Sequence, residues 1–162
     1  MATEIERKFL LSSDAWKNKV TETIHMQQAY MLGSAKASVR IRISGEYANL
    51  NIKSATLGIT RKEYEIALPL DDAHEMLNNL CERPFIEKTR HIVPIGTHRW
   101  EIDQFHGDNE GLLVAEIELS DENESFEKPA WLGKEVSDDS RYYNVRLTQN
   151  PYNTWWWISF DD

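Results

Sequence analysis

The feature that most constrains this chain is a two-residue alternation that recurs in eight short segments. They lie at roughly residues 3–10, 24–32, 37–44, 48–54, 60–68, 85–93, 98–106 and 112–120. Two is the strand period, because successive side chains point to opposite faces of a sheet. Turn signals separate several of them: Ser44-Gly45-Glu46, Thr56-Leu57-Gly58, Pro94-Ile95-Gly96 and the run from Gly107 to Gly111. Connections this short force antiparallel neighbours.

One phase of the alternation carries charge. Glu4, Glu6 and Lys8 share a face of the first segment, Arg40 and Arg42 of the third, and Lys53 lies on the fourth. Glu63 and Glu65 pair on the fifth, Lys88 and Arg90 on the sixth, Glu101 and Asp103 on the seventh, Glu116 and Glu118 on the eighth. The other phase is apolar, as in Val39, Ile41 and Ile43, or Ala115, Ile117 and Leu119. A sheet with one wet face gives such alternation. It does not call for like charges two apart, which repel, nor for a face almost free of Ser, Thr and Asn. Crowded like charges need opposite charge among them. A divalent cation with a polyanion meets that need, the carboxylates taking the metal and Arg and Lys the anion. Closing the eight strands turns the charged face into a lumen. The expected fold is mainly β: a closed eight-stranded antiparallel barrel with covering helices, one domain over residues 1–162. Polar-in, apolar-out alternation also marks membrane barrels, but outward positions such as Arg7, Lys62, Glu87 and Gln104 are too polar for lipid.

Helices are expected between and after the strands. Ser12 or Ser13 can cap a short one through about Lys19. Asp71 and Asp72 start another that ends before Pro84, with Ala73, Met76, Leu77 and Leu80 on its apolar face. Pro129 to Glu135 reads as a helical turn, and Asp138 or Asp139 as the cap of a helix to about Gln149. Trp155, Trp156 and Trp157 read as a packing anchor.

The net charge of −9 argues against a general nucleic-acid or anionic-membrane binder. The single cysteine, Cys81, cannot form an internal disulfide, and no CxxC pair offers zinc ligands. The N-terminus has no signal-peptide apolar core, so a cytoplasmic location is expected. His25, His74, His91, His98 and His106 have no paired metal spacing. Walker A, GxGxxG and Gly-x-Ser-x-Gly motifs are absent.

The opening Glu4-Ile5-Glu6-Arg7-Lys8-Phe9 resembles the ExExK signature of the CYTH superfamily, the triphosphate tunnel metalloenzymes. The resemblance extends in order through Arg40-x-Arg42, Lys53, Glu63-x-Glu65, Lys88-x-Arg90 and Glu116-x-Glu118. It reaches the stretch from Trp131 to Val136, then Asp138, Tyr142 and Asn144. It implies an eight-stranded tunnel that binds a triphosphate with Mg²⁺ or Mn²⁺. On that reading Glu4, Glu6, Glu116 and Glu118 are the metal ligands, with Asp103 a further candidate. Arg40, Arg42, Lys53, Lys88 and Arg90 clamp phosphate oxygens. Lys8 holds phosphate beside the metal or stabilises the leaving group, or it merely neutralises its carboxylate neighbours. Glu63, Glu65 and Glu101 are ion-pair partners, or they position water or metal. Tyr30, with Gln28 on its face, resembles the family's Q-x-Y and orients or deprotonates water, or simply hydrogen-bonds. Arg141, Lys134 and Asp138 approach one tunnel mouth. The implied activity is hydrolysis of inorganic tripolyphosphate. Thiamine or nucleoside triphosphatase, class IV adenylyl cyclase, and a polyphosphate- or nucleotide-binding module stay open beside it. The implied partner is a small triphosphate, without nucleic acid or membrane; a homodimer is an open possibility.

Overall fold

The computed structural model describes residues 3–55 and 58–155. Thr56 and Leu57 of the turn before the fifth strand, and Trp156 and Trp157, lie outside them. The strands are β1 (Thr3–Leu11), β2 (Glu22–Gly33), β3 (Ala37–Ser44), β4 (Tyr47–Ser54), β5 (Thr60–Leu68), β6 (Ile86–Ile95), β7 (His98–Phe105) and β8 (Leu113–Leu119). A short β9 (Leu132–Glu135) follows, with helices α1 (Leu70–Leu80) and α2 (Asn144–Leu147). Each expected strand is present, with ends shifted by at most two residues.

The strand order is β5-β4-β3-β2-β6-β7-β8-β1, and β1 closes the ring by pairing with β5. The neighbours joined by short turns (β3–β4, β4–β5, β6–β7, β7–β8) are antiparallel as expected. The two longer links skip across the ring. The first carries a 3₁₀ turn at Lys17–Lys19, all that forms of the expected first helix. The second carries α1, whose Ala73 and Leu77 are buried while Leu80 is exposed.

The barrel is turned as the alternation predicts. Ile41, Trp100, Ile102, Ala115 and Ile117 are 0% exposed on the outer face. Two covers account for this. Trp16 and Trp131 pack over β1, β7 and β8. Helix α1 packs over Ala29, Ile41, Ile43 and Ala48. At about 25 cal/mol per Å² of apolar area removed from water, these covers make an apolar outer wall favourable without a membrane. Val136, Tyr142, Leu147 and Trp155 pack instead on the inward phase, where Ile86, Phe105 and Val114 share a face with Lys88 and Asp103. Among the described residues no helix is long and apolar enough to cross one.

Two expectations fail after residue 128. Pro129–Glu135 is no helical turn: Leu132–Glu135 adds to the edge of β1 as β9, pairing Glu135 with Phe9 and Leu132 with Leu11. Gly133 permits the approach, since a Cβ there would lie 2.9 Å from the Leu10 carbonyl oxygen. The helix expected from Asp138 to Gln149 is broken in two. Asp139 caps only a 3₁₀ turn at Ser140–Tyr142, accepting from the Arg141 N–H. Tyr143 is then extended, at φ −73° and ψ 134°, before the four-residue α2. Tertiary bonds outweigh helix propensity at the break: the Tyr143 hydroxyl donates to the Ser137 carbonyl at 2.7 Å, and Asn144 turns into the lumen.

Candidate functional site

The lumen encloses a cavity of about 420 Å³. Register brings its carboxylates together. On the adjacent β1 and β8, Glu6 sits opposite Glu118 and Lys8 opposite Glu116. On β7, Glu101 faces Glu116. On β2 and β3, Tyr30 is opposite Arg40 and Gln28 opposite Arg42. On β4 and β5, Lys53 faces Glu63.

Most charges are matched in ion pairs. Lys53 Nζ lies 3.0 Å from Glu4 and 3.5 Å from Glu63. Lys8 Nζ lies 3.5 Å from Glu116 and donates to the Tyr142 carbonyl at 3.2 Å. Arg90 donates to both oxygens of Asp103 at 2.8 and 2.9 Å and to Glu101 at 2.9 Å. Lys88 donates to Asp103 at 2.7 Å. Two cations differ. Among the described residues neither Arg40 nor Arg42 has a carboxylate within salt-bridge distance. Arg40 is buried, with its Nε lacking any hydrogen-bond partner.

The electrostatics follow from this layout. Burial disfavours the Arg42 guanidinium, and its neighbours Arg40 and Arg90 add repulsion, so its pKa falls to about 9. Burial also brings Lys88 down to about 7, although Asp103, which Lys88 shares with Arg90, opposes the fall. Glu116 stays well below the usual carboxylate range: burial would raise it, but Lys8, Arg90 and Lys88 outweigh that. Glu6 moves the other way. Burial and the neighbouring Glu116 and Glu4 push it up to about 8, against the pull of Lys53.

That crowding at Glu6 tests whether the residues suit a divalent metal. Glu4, Glu6, Glu116 and Glu118 all line the cavity. They offer oxygen donors, and a cation would oppose both the burial and the carboxylate repulsion that raise Glu6. The donor chemistry fits. The cage is not pre-assembled: among the described residues no three His, Cys, Asp or Glu side chains converge at metal-binding distance. Glu4 is engaged by Lys53 and Glu116 by Lys8, so a metal would have to share or displace these lysines.

Not every candidate reaches the cavity. Lys8, Tyr30, Arg40, Arg42, Lys53, Glu63, Glu65, Lys88, Arg90 and Glu101 line it with the four carboxylates. Asp103 does not: it points inward from β7 opposite Arg90 but is 0% exposed, covered by Lys88 and Arg90. Arg141 lies outside as well, paired with Asp139 at 2.7 Å and packed on Tyr142 and Trp155. Lys134 and Asp138 line a separate, more open depression. The wall also contains Ser38, Ser44, Asn49 and Asn51, so the charged face is not nearly free of small polar residues. Asn49 and Asn51 donate to Glu65 and Glu63 at 3.0 and 3.1 Å.

The sequence reading passed over several wall residues. Arg61 and Arg99 line the cavity, and each sits two residues before a charge that was counted, Glu63 and Glu101. The period-two rule could have found both. Tyr143 also lines it, with Arg61 stacked 4.5 Å over its ring, and so does Asn144, which the sequence marked only as part of the C-terminal signature, without a place in the wall. No strand periodicity could place these two, because they belong to the segment that crosses the tunnel end.

Comparison with known proteins agrees with this architecture. A family model described as the CYTH domain matches residues 2–146. An inorganic triphosphatase of Acetivibrio thermocellus is 45% identical over 152 residues, 94% of this chain and 97% of that protein. An inorganic triphosphatase of Nitrosomonas europaea is 33% identical over 150 residues, 90% of this chain and 96% of that one. A crystal structure of an inorganic triphosphatase matches with a TM-score of 0.62 at 31% identity, covering 91% of this chain and 95% of the other. A Pyrococcus horikoshii protein at 17% identity shares the fold, with a TM-score of 0.59 over 74% of this chain and 80% of its own. A closed barrel with charge inside, matched to one family model along nearly its whole length, places this chain in the CYTH domain family.

Proposed function

We propose that this chain hydrolyses inorganic tripolyphosphate, assisted by Mg²⁺ or Mn²⁺, in the cytoplasm. The observation that carries the reading is the lumen itself. Guanidinium groups at Arg40 and Arg42, without a salt-bridged carboxylate among the described residues, share one cavity with the carboxylates of Glu4, Glu6, Glu116 and Glu118. Two full-length relatives that carry the name inorganic triphosphatase support the substrate.

Phosphoryl transfer to water asks little covalent chemistry of a protein; positioning and charge stabilisation do most of the work. Arg40 and Arg42 hold non-bridging oxygens with planar forks, and Lys53 and Arg90 add charge around the chain. Lys88 sits behind them, balancing Asp103. Lys8, between Glu116 and the Tyr142 carbonyl, offers an ammonium to the leaving phosphate. Glu4, Glu6, Glu116 and Glu118 would hold the divalent cation, which neutralises charge developing on the phosphoryl oxygens. Glu63, tied to Lys53 and Asn51, is an ion-pair partner. Tyr30 and Glu65 orient the attacking water.

Adenylyl cyclisation needs a pocket for base and sugar. The apolar side chains in this wall, such as Met26, Ile59 and Val145, are few and scattered along the chain. A phosphate-release panel over tripolyphosphate, thiamine triphosphate, ATP and pyrophosphate, with Mg²⁺, Mn²⁺ or chelator, tests the proposal. Tripolyphosphate is expected to turn over fastest, and chelator to abolish release. Faster turnover of ATP, or its conversion to cyclic AMP, would overturn the substrate assignment.

A further inference from the structure

The tunnel treats two of its arginines differently. Arg90 is held by carboxylates, Asp103 and Glu101, and its charge is neutralised. Arg42 is held by an amide: its Nε donates to Gln28 Oε1 at 2.8 Å. Among the described residues no carboxylate lies within salt-bridge distance of Arg42.

That bond starts a relay. With its oxygen facing Arg42, Gln28 must turn its amino group away, and Nε2 donates to Asn144 Oδ1 at 3.1 Å. Lys88 Nζ donates to the same Asn144 oxygen at 3.0 Å and to Asp103 at 2.7 Å. Arginine and lysine can only donate. Neither amide can therefore flip without setting an NH₂ group against a cation or another donor. Gln28 and Lys88 are 0% exposed, so water does not replace a lost partner there. Asn144 reaches this relay from α2, far from β2 and β6 in sequence.

Resting on the triphosphatase reading, we propose that Asn144 is a positioning residue for substrate: acting through Gln28, it holds the Arg42 guanidinium so that its two terminal nitrogens remain for the phosphate chain. The amide link supplies direction without charge. A carboxylate in its place would grip Arg42 harder, but it would cancel the charge that phosphate requires. The tether is needed because burial, with Arg40 and Arg90 nearby, disfavours a guanidinium at this position. It also ties anion affinity to docking of the C-terminal segment, which supplies Asn144.

The test compares Asn144→Ala, Gln28→Ala, their double variant and Asn144→Asp in the full chain. KM and kcat are measured with tripolyphosphate and Mg²⁺. The Kd of a methylene-bridged tripolyphosphate analogue is measured by calorimetry, alongside melting temperature. Asn144→Ala and Gln28→Ala are each expected to raise KM and Kd about tenfold, the scale of one hydrogen bond to a charged group, with kcat changed less than about threefold. The double variant should bind no worse than the weaker single, since both act on one guanidinium. Asn144→Asp keeps the size and accepts from both donors, so it should keep the fold while weakening anion binding. A purely structural role would lower melting temperature and leave Kd alone; that result, or additive losses in the double variant, overturns the proposal. If Asn144→Ala does not fold, an unchanged Kd in Asn144→Asp overturns it equally. Failure of the wild type to bind the analogue would instead overturn the triphosphatase reading.

Discussion

At the scale of single residues, the tunnel works by leaving some charges matched and others not. Lys53 is matched to Glu4 and Lys8 to Glu116, whereas Arg40 keeps a buried Nε without a partner. Glu6 is pushed up to about 8 by burial and its acidic neighbours. This contrast sorts the mutations. Glu4→Gln and Glu116→Gln each remove one carboxylate charge at nearly constant volume. Phosphate release is expected to fall on the order of 10²–10³-fold, the usual cost of losing one contact made in the transition state, and metal dependence should weaken. Titration of activity against Mg²⁺, with circular dichroism as a check on fold, measures both. Near-normal rates at saturating metal would remove these residues from the ligand set.

At the scale of elements, phase and edge pairing decide what a residue does. Ile41 and Arg42 are consecutive on β3, yet Ile41 packs under α1 and Arg42 faces the cavity. Ile41→Lys is expected to lose on the order of 3 kcal/mol in a denaturant titration, from a charge forced into an apolar site. Arg42→Ala should cost little stability, since it relieves repulsion, and should lose most activity. Reversed phenotypes would place the barrel register one residue out. β9 offers a pH test. Arg7 donates to both Glu135 oxygens, at 2.9 and 2.6 Å, across the β1–β9 edge. Chiefly through these bonds, Arg7 holds the Glu135 carboxyl below its ordinary 4.5. The folded state thus gains stability above the unfolded pKa, and the gain is lost as pH falls through the folded value. Because both groups are partly exposed, the effect should be a few tenths of a kcal/mol. Glu135→Gln should flatten this part of the acid limb in a melting series below pH 4.5; a limb unchanged from wild type would show that the pair contributes nothing.

At the scale of the molecule, the barrel is a container whose charges are partly frustrated without ligand. The lumen holds acid and base in close pairs, and a metal with a polyphosphate would take over part of that pairing. A ligand that binds only the folded state adds about 2.7 kcal/mol at one hundred times its Kd. For a chain of this size that is a rise of about 5–10 °C in melting temperature. A non-hydrolysable tripolyphosphate with Mg²⁺ is expected to give such a rise, and either component alone a smaller one. The rise should shrink in high salt, where screening is stronger. Melting that ignores every addition at low salt would mean a lumen that is merely solvated.

The eight barrel strands, their ends to within two residues and the inward phase were legible in the residues, because period-two alternation is a local property that sheet geometry converts directly into faces. Antiparallel pairing across short turns was legible for the same reason. Closure also makes the first and last strands neighbours, and β1 does pair with β8. The rest of the order around the ring was not legible: the pairing of β1 with β5 follows from where two long links cross, and no local pattern encodes that. The C-terminal segment was misread because helix propensity is weak beside an open strand edge and a buried donor in want of an acceptor. β9 pairs with β1, and Asn144 meets Gln28 and Lys88, only once the barrel exists to present them. For the site, the residue types and spacing named most of the wall. Only the tertiary structure decided that Asp103 is covered by Lys88 and Arg90, that Arg141 stands outside, and that Arg40 and Arg42 have no carboxylate partner among the described residues. The reason is physical: a face is set by the chain's own period, whereas a charge's partner is set by whatever the fold brings within a few ångströms.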